Sequence, residues 1–308
     1  MQMKKEFTTL LVAVEEEKLT GQERQYFRRM LTTLQAVEVQ VVLIDEDEVL
    51  FRQTEKNSSL TRHRVSEYQA SALALVDHEA DKEQAIAAHL PVVYYSHQCI
   101  GGYGADMLLM SFGEIGYDFF AQIFDRFHGQ PWTILETRRC LLREAVLEDL
   151  DAFYEIYAQP SVARFVEPLS YDYEEEKEKL AAYIKHQYPF YGFGTWTILE
   201  AKELCQATQA SAPYDAPLAI IGRAGLNIDE TTGNVHLGYL IREEYQGQGI
   251  ATEVCEAILK YAKNQLELTE VELCVDPLNE ASIKLAKKLG FQPVCGDLTY
   301  CNLYRIYL

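Results

Sequence analysis

The sequence predicts an α/β protein of two domains, the first of which contains a Rossmann-like parallel sheet. The chain has 308 residues, enough for two domains that each bury a core. In the first domain, short apolar runs alternate with polar segments of helical periodicity, which is typical of parallel strands covered by helices. Pro131 interrupts this pattern, and a new series of strand and helix signals begins at Cys140. We therefore expect domains at residues 1–135 and 136–308.

In the first domain, five apolar runs predict strands and three polar segments predict helices. The last helix is expected to stop at Gly129, because glycine commonly follows the end of a helix. The strand runs are TTLLVAV, VQVVLI, ALALVD, PVVYYS and DMLLMS, and the helical segments are GQERQYFRRMLTTLQ, DKEQAIAAHL and YDFFAQIFDRFHG.

The second domain is predicted to begin with a strand at Leu142 and a helix from Leu147 to Tyr157 that has acidic residues in its first turn. The polar segment ELCQATQASAPYDAP predicts a mobile insertion between two strands of a hairpin. Further strands are predicted in GTWTILEA, LAIIGRAGLNID, NVHLGYLI and VELCV, and further helices in YEEEKEKLAAYIKHQY, in the segment after Gly249 and in EASIKLAKKLGF.

Charge and hydropathy restrict the partners that we expect. The formal net charge is −19, which repels nucleic acid and anionic membranes, so neither is expected as a partner. No apolar run is long enough to span a membrane, and the first apolar run ends in glutamates rather than at a small-residue cleavage site. We expect a cytoplasmic protein.

The chain has seven cysteines, mostly within apolar runs, and no Cys-x-x-Cys pair. This distribution favours buried thiols in a reducing compartment over disulfides or a zinc site. We therefore expect neither a disulfide nor a bound metal.

The stretch EYQGQGIATE connects a predicted strand to a predicted helix, and its two glycines allow three interpretations. It could be a tight turn, because glycine adopts unusual backbone angles at low cost. It could be a dinucleotide fingerprint, but Thr252 stands where a third glycine or alanine is needed, and Glu270 precedes the next strand instead of ending it. It could hold a pyrophosphate, since Gly247, Gly249 and Ala251 leave room for phosphate oxygens near the free amides of the helix.

The order of motifs around this loop resembles that of the GNAT N-acetyltransferases. Gln246-x-x-Gly249-x-Ala251 is similar to the family's acetyl-CoA signature, HLGYLI precedes it, and DPLNEASIKLAKKLGF is similar to the closing motif. LLREAVLEDLDAFYEIYAQPSVARFV resembles the opening strand and helices. The resemblance covers Arg139 to Leu308, and its details are most similar to the branch that contains ribosomal-protein-alanine N-acetyltransferases.

This resemblance implies an α+β fold with a mixed, splayed sheet, with acetyl-CoA as co-substrate. The pantetheine arm is expected between the strand ending at Ile241 and the strand ending at Val275, paired with backbone near Leu240 and Ile241. The loop amides are expected to hold the pyrophosphate, and Asn279 either fastens the turn or pantetheine or simply caps the helix. The residues implied in binding are Leu240, Ile241, Gln246, Gly247, Gln248, Gly249, Ile250, Ala251, Asn279 and Ser282.

The catalytic residues depart from the family pattern. The branch often has a glutamate before the LGY of the strand, and here that position is His236, whose neutral imidazole can act as a base. A surface or substrate-orienting histidine is the alternative, which would leave a water-relayed carboxylate such as Glu167 or Asp229 as the base. The tyrosine that protonates the thiolate in many relatives is replaced by Ala286, so water is the expected proton source.

The expected activity is direct acetyl transfer to a primary amine of a small molecule or a protein N-terminus. The alternative is a non-catalytic regulatory or scaffold protein that binds acetyl-CoA. Thiol release with a panel of amines separates these two hypotheses.

The first domain shows a shorter resemblance. ALALVDHEADKEQAIAAHLPVVYYS is similar to a late motif of haloacid-dehalogenase-like phosphatases, with Asp77 and Asp81 matching the acidic pair that holds magnesium. The family's nucleophilic aspartate follows the first strand, but Glu15 begins a run of glutamates there. We expect a degenerate domain without phosphatase activity. A generic strand–helix–strand unit is the alternative.

Overall fold

The chain folds into two compact units, Met1–Trp132 and Thr133–Leu308. The predicted insertion ELCQATQASAPYDAP lies outside the described residues. None of the described helices has the length and apolar character that a membrane crossing requires. The computed structural model describes residues 6–44, 70–201, 218–294 and 301–308.

The described residues of the first unit form five strands in one parallel sheet, as the alternation of strands and helices predicts. Parallel neighbours need long crossover connections, and among the described residues helices form two of these connections. The strands are β1 Thr9–Ala13, β2 Gln40–Leu43, β3 Ala72–Val76, β4 Val92–Tyr95 and β5 Met107–Leu109, and the helices are α1 Gly21–Ala36, α2 Glu79–Ala87 and α3 Tyr117–Phe127.

The strand order is β2-β1-β3-β4-β5, so the direction of winding changes between β1 and β3. All five residues of β3 are buried, because the sheet is covered on both faces. Leu73 and Leu75 belong to one apolar cluster, whereas Ala74 and Val76 belong to another. The change of winding leaves the carboxyl ends of β1 and β3 beside each other, where open α/β sheets usually bind ligands.

The second unit is built on an eight-stranded mixed sheet in the order β12-β13-β11-β10-β9-β8-β7-β6. Its pairs are antiparallel except for β10 with β11. The strands are β6 Thr133–Glu136, β7 Cys140–Arg143, β8 Thr195–Glu200, β9 Ile220–Ile228, β10 Val235–Ile241, β11 Glu270–Val275, β12 Gln292–Pro293 and β13 Asn302–Tyr307.

Helices cover this sheet, and the largest apolar cluster of the unit includes the inner face of the helix that follows the glycine loop. That helix buries Val254, Ile258, Leu259 and Ala262, as its periodicity predicts. The helices are α4 Leu150–Tyr157, α5 Pro160–Ala163, α6 Tyr173–Tyr191, α7 Ile250–Asn264 and α8 Glu280–Leu289.

Helix α4 begins later than the sequence predicts, because Leu147–Asp149 form a 3-10 turn. The side chain of Asp149 explains this difference. It is buried, and it accepts hydrogen bonds from Arg143 and from the Thr197 hydroxyl at 2.7 Å. These contacts hold Asp149 at the start of the helix.

The expectation that the cysteines are free thiols is wrong for one pair. Cys274 of β11 and Cys301, just before β13, form a disulfide with a Cα–Cα distance of 5.8 Å. The antiparallel pairing of β11 with β13 brings them together. The expectation is right for Cys140 and Cys255, which are buried, and burial raises the pKa of the Cys140 thiol to about 11.

Candidate functional site

A V-shaped opening separates the parallel strands β10 and β11. They pair at a single position, His236 with Glu272, and beyond it they diverge toward Ile241 and Val275. On its other side β10 pairs with β9 along its whole length. The divergence therefore leaves one backbone edge of β10 open, toward its carboxyl end.

The pattern of hydrogen bonds determines which residues of β10 present their backbone to this opening. Arg242 donates its amide to Ile221 of β9 at 2.8 Å. Because antiparallel pairing alternates along a strand, Leu240 also directs its backbone at β9, and Tyr239 and Ile241 direct theirs into the V. Of the two expected positions, Ile241 thus directs its backbone into the V together with Tyr239, whereas the backbone of Leu240 is directed at β9.

The glycine loop follows β10 after a short 3-10 turn, and its backbone requires glycine at two positions. Gly247 has φ 72° and Gly249 has φ 79°, in the left-handed region that other residues rarely adopt. A Cβ at Gly247 would meet no atom within 4 Å, and at Gly249 it would meet only the Arg139 Nη2 at 3.7 Å. The space above both glycines is therefore open.

Helix α7 begins directly after Gly249, so the first amides of the helix have no partner within it. Glu253 is the first residue that donates into the helix, to the Gly249 carbonyl at 3.1 Å. The free donors and the positive end of the helix dipole make this turn suitable for an anion.

One predicted loop amide is occupied by the protein itself, and the side chains of two loop residues join the loop to its surroundings. Gln246 donates its amide to the Glu243 carbonyl at 3.1 Å, so this amide is not available to a phosphate. Its side chain instead joins the loop to β10, donating to the Ile241 carbonyl at 2.7 Å. The side chain of Gln248 donates to the Glu244 carbonyl at 2.6 Å, within the loop itself.

Arg139 anchors the loop from a position more than a hundred residues earlier. Its Nη1 donates to the Gln248 carbonyl at 2.8 Å, and its Nε donates to Glu253 Oε2 at 2.7 Å. Burial acts to raise the pKa of Glu253, but hydrogen bonds from Thr137 and Arg139 outweigh it and lower the pKa. Sequence reasoning missed this anchor because the contact has no local signal.

A cavity of about 180 Å³ lies at the open end of the V. Nine of the ten predicted acetyl-CoA residues line it, and Gln248 is the exception. The lining residues that the sequence did not predict come mainly from the segment at α5 and from β10 and α8. They are Ser161, Val162, Phe165, Val166, Tyr239, Tyr245, Ala281 and Leu285.

Two hydroxyl groups meet inside this cavity. Tyr239 donates its hydroxyl to Ser282 Oγ at 2.8 Å, and burial raises the pKa of Tyr239 to about 12. Asn279 accepts the Ser282 amide at 3.0 Å and so caps helix α8. Ala286 is fully buried and is not among the residues that line the cavity.

His236 lies at the apex of the V and not in the lining of the cavity. Its Nε2 is 3.0 Å from Glu272 Oε2, although the N–H direction falls outside a linear hydrogen bond. Gly238, two residues along the same face, leaves open space beside the imidazole, because a Cβ there would meet only Asn227 Nδ2 at 3.9 Å.

The two carboxylates considered as replacement bases are placed less favourably. Asp229 accepts the amides of Thr231 and Thr232 in a turn, and these hydrogen bonds lower the pKa of Asp229. Glu167 is exposed and lies outside the cavity lining. His236 also lies outside the cavity lining, but open space adjoins its imidazole at Gly238.

The comparisons with known proteins agree with this geometry. A family model described as "Acetyltransferase (GNAT) domain" matches residues 139–292, half of the chain. The N-acetyltransferase p20 of Bacillus licheniformis is 28% identical over 159 residues, which are 51% of this chain and 82% of p20.

Other relatives match shorter segments. YdaF of Bacillus subtilis, whose name describes a ribosomal N-acetyltransferase, is 34% identical over 84 residues, which are 27% of this chain and 45% of YdaF. Spermidine N(1)-acetyltransferase of Escherichia coli K12 is 39% identical over 61 residues, which are 20% of this chain and 32% of that enzyme. A solved structure of RimL with coenzyme A, a ribosomal L7/L12 α-N-protein acetyltransferase, is 17% identical, with a TM-score of 0.45, and the match covers 57% of this chain and 98% of RimL.

The chain belongs to the GNAT acetyltransferase family. It is an N-acetyltransferase, and its co-substrate is acetyl-CoA, as the sequence predicts. The relatives offer no support for the alternative of a non-catalytic binding protein.

Proposed function

We propose that this N-acetyltransferase transfers the acetyl group of acetyl-CoA directly to a primary amine, on a small molecule or at a protein N-terminus. The observation that carries the proposal is the cavity at the open end of the V, lined by the glycine loop, the edge of β10 and the start of α8.

Backbone groups of this protein match the parts of acetyl-CoA that they are proposed to bind. The amides after Gln246, up to Ala251, are proposed to hold the pyrophosphate, since Gly247 and Gly249 keep the space above them free. The open backbone edge at Tyr239 and Ile241 is proposed to pair with the pantetheine arm, as a strand would. Bound there, acetyl-CoA supplies an activated acetyl group as a thioester.

The remaining groups are proposed to stabilise the negative charge that develops during the reaction and to transfer protons. An amide of the β10 edge polarises the acetyl carbonyl, which becomes negatively charged as the amine adds. His236 accepts the proton that the amine must lose. Water, or the hydroxyls of Tyr239 and Ser282, returns a proton to the departing thiolate, and Tyr239 is protonated at neutral pH because its pKa is about 12.

A cationic acceptor is proposed from the charge of the molecule. The net charge of −19 attracts amines, which are protonated in neutral solution. The names of the relatives include both kinds of acceptor, a polyamine for the Escherichia coli enzyme and ribosomal proteins for YdaF and RimL. We therefore keep both classes in the proposal.

The first unit is proposed to be a Rossmann-like domain with a degenerate haloacid-dehalogenase-like site. Its parallel sheet and the acids at the ends of β1 and β3 support a doubly wound domain. Glu15 does not supply the nucleophile that phosphatases of that family need, because its amide and carboxylate are engaged with Asp77 and His78. In the described part of the chain, no group of three His, Cys, Asp or Glu side chains is placed to hold a metal ion.

The binding site is tested by Gly249→Glu, with Gly233→Glu as a matched control. Both glycines have positive φ, and Gly233 lies in the turn between β9 and β10, outside the cavity lining. A carboxylate introduced in place of Gly249 faces the pyrophosphate, and repulsion of about 2–4 kcal/mol weakens acetyl-CoA binding by roughly 30- to 10³-fold. Calorimetric titration measures this affinity.

Equal affinities for the two variants would contradict the proposed cradle. Tight acetyl-CoA binding by the unmodified protein, with no thiol release for any amine or peptide in a broad panel, would contradict the proposed transfer instead.

A further inference from the structure

A buried carboxylate lies at the apex of the V, directly opposite His236. Glu272 of β11 is 2% exposed. Removing a carboxylate from water is costly unless both of its oxygens have partners. The partners of Glu272 therefore indicate which group the negative charge of its carboxylate stabilises.

The two oxygens of Glu272 contact different partners. Arg305, which lies opposite Glu272 on β13, donates from Nε to Oε1 at 2.9 Å and also from Nη2 to the same oxygen. The other oxygen, Oε2, is 3.0 Å from His236 Nε2. Burial acts to raise the pKa of Glu272, but hydrogen bonds from Arg305 and Asn234 and the nearby positive charge lower it. The carboxylate is therefore ionised at neutral pH and can only accept.

The ionised carboxylate of Glu272 determines which ring nitrogen of His236 carries the proton. The Nε2 atom is buried and has no other partner among the described residues, so it faces a carboxylate oxygen alone. A protonated Nε2 is attracted to that oxygen, whereas a lone pair on Nε2 is repelled by it. The side chain of His236 is 23% exposed, but its Nε2 atom is buried and contributes none of this exposed area. Nδ1 is then the nitrogen that keeps the lone pair.

We propose that Glu272 is a positioning residue that holds His236 in the tautomer protonated at Nε2, so that Nδ1 is the atom that accepts the proton of the acceptor amine. This inference rests on the proposed role of His236 as the base. The proton passes from the amine nitrogen to Nδ1 and then to solvent, and Glu272 stabilises the imidazolium in between. The charged groups that face His236 are Glu272 from β11, Arg305 behind it on β13, and Asp229 after the end of β9.

The tautomer can be measured on the unmodified protein by ¹⁵N NMR with labelled histidine, using the spectrum of His236→Ala to assign the signal. At alkaline pH, Nε2 of His236 is expected to show the shift of a protonated nitrogen and Nδ1 that of an unprotonated one. The opposite assignment overturns the proposal without any reference to activity.

The kinetic test compares Glu272→Gln with Glu270→Gln. In Glu272→Gln, Arg305 keeps the amide oxygen of the new side chain as its acceptor, so the NH₂ group of that side chain faces His236 Nε2 and drives the proton to Nδ1. We expect kcat to fall by roughly 10²–10³-fold, within the range of general base catalysis, at unchanged acetyl-CoA affinity. Glu270 is the control because it also contacts Arg305, at 3.6 Å, yet is partly exposed and does not contact His236.

Combining the two substitutions distinguishes a failure of the positioning role of Glu272 from a failure of the proposed base His236. If Glu272 acts through His236, then Glu272→Gln has no further effect on kcat when His236 is already replaced by alanine. Equal losses of kcat in Glu272→Gln and Glu270→Gln, or an unchanged tautomer in Glu272→Gln, would overturn the positioning role. An undiminished rate in His236→Ala would instead refute the proposed base, while the tautomer measurement still decides what Glu272 does.

Discussion

The carboxyl ends of β1 in the first unit and of β10 in the second both carry polar residues, but these residues differ in what they bind. After β1, Glu15 donates its amide to Asp77 Oδ2 at 2.9 Å. His78 lies between Asp77 Oδ1 at 2.6 Å and Glu15 Oε1 at 2.9 Å. After β10, the glycine loop leaves open space above Gly247 and Gly249.

The difference shows that residue type at a strand end does not define a site. The acids after β1 and β3 have the chemistry of a magnesium site, yet they satisfy one another and the neighbouring histidine. The loop after β10 has few reactive side chains, but it keeps backbone donors without partners, and such donors favour an anion. Unsatisfied groups next to open space are the better indicator of function.

The largest effect is expected for His236→Ala. Loss of the proposed base should lower the rate of acetyl transfer by roughly 10²–10⁴-fold. Acetyl-CoA affinity should stay nearly unchanged, because the cradle lies further along the chain. The loss should become smaller at high pH, where the free amine forms without a base. Steady-state kinetics over a range of pH, with calorimetry for affinity, measures both quantities.

An equal drop in affinity and rate would mean that His236 is structural. It would also remove the functional distinction between the apex of the V and its open end.

A smaller effect is expected when the loop loses its anchor. Arg139→Ala removes charge-assisted hydrogen bonds to Glu253 and to the Gln248 carbonyl, each worth about 1.5–3 kcal/mol. Because part of this free energy positions the loop, acetyl-CoA affinity should fall by roughly tenfold. Arg138→Ala is the matched control, since Arg138 is adjacent and exposed. Titration calorimetry of both variants checks the prediction, and identical affinities would show that the loop needs no anchor.

The smallest effect on function is expected in the first unit. Asp77→Asn should leave acetyl transfer unchanged and reduce the free energy of unfolding by about 1 kcal/mol, because the contact with His78 weakens. The unmodified protein should not hydrolyse a phosphomonoester in the presence of magnesium. Magnesium-dependent hydrolysis that disappears in Asp77→Asn would show that the acids after β1 and β3 form a working site after all.

Much of the fold follows from local patterns in the sequence. The alternating runs predict the parallel strands of the first unit, and the periodicity of α7 predicts its buried face. The boundaries are less predictable: α4 begins at Leu150 because Asp149 is held by Arg143 and Thr197, and the contact with Thr197 joins residues far apart in the chain. Cys274 and Cys301 look like ordinary buried thiols until the pairing of β11 with β13 brings them together.

The sequence by itself determined the family, the co-substrate and the loop that is proposed to bind it, because glycine spacing and helix start are properties of neighbouring residues. Only the tertiary structure decided which groups remain free at the site. Strand pairing directs the backbone of Tyr239 and Ile241 into the V and places Glu272 and Arg305 behind His236. These contacts join residues far apart in the chain, and their hydrogen bonds depend on the register of strands that no local pattern specifies.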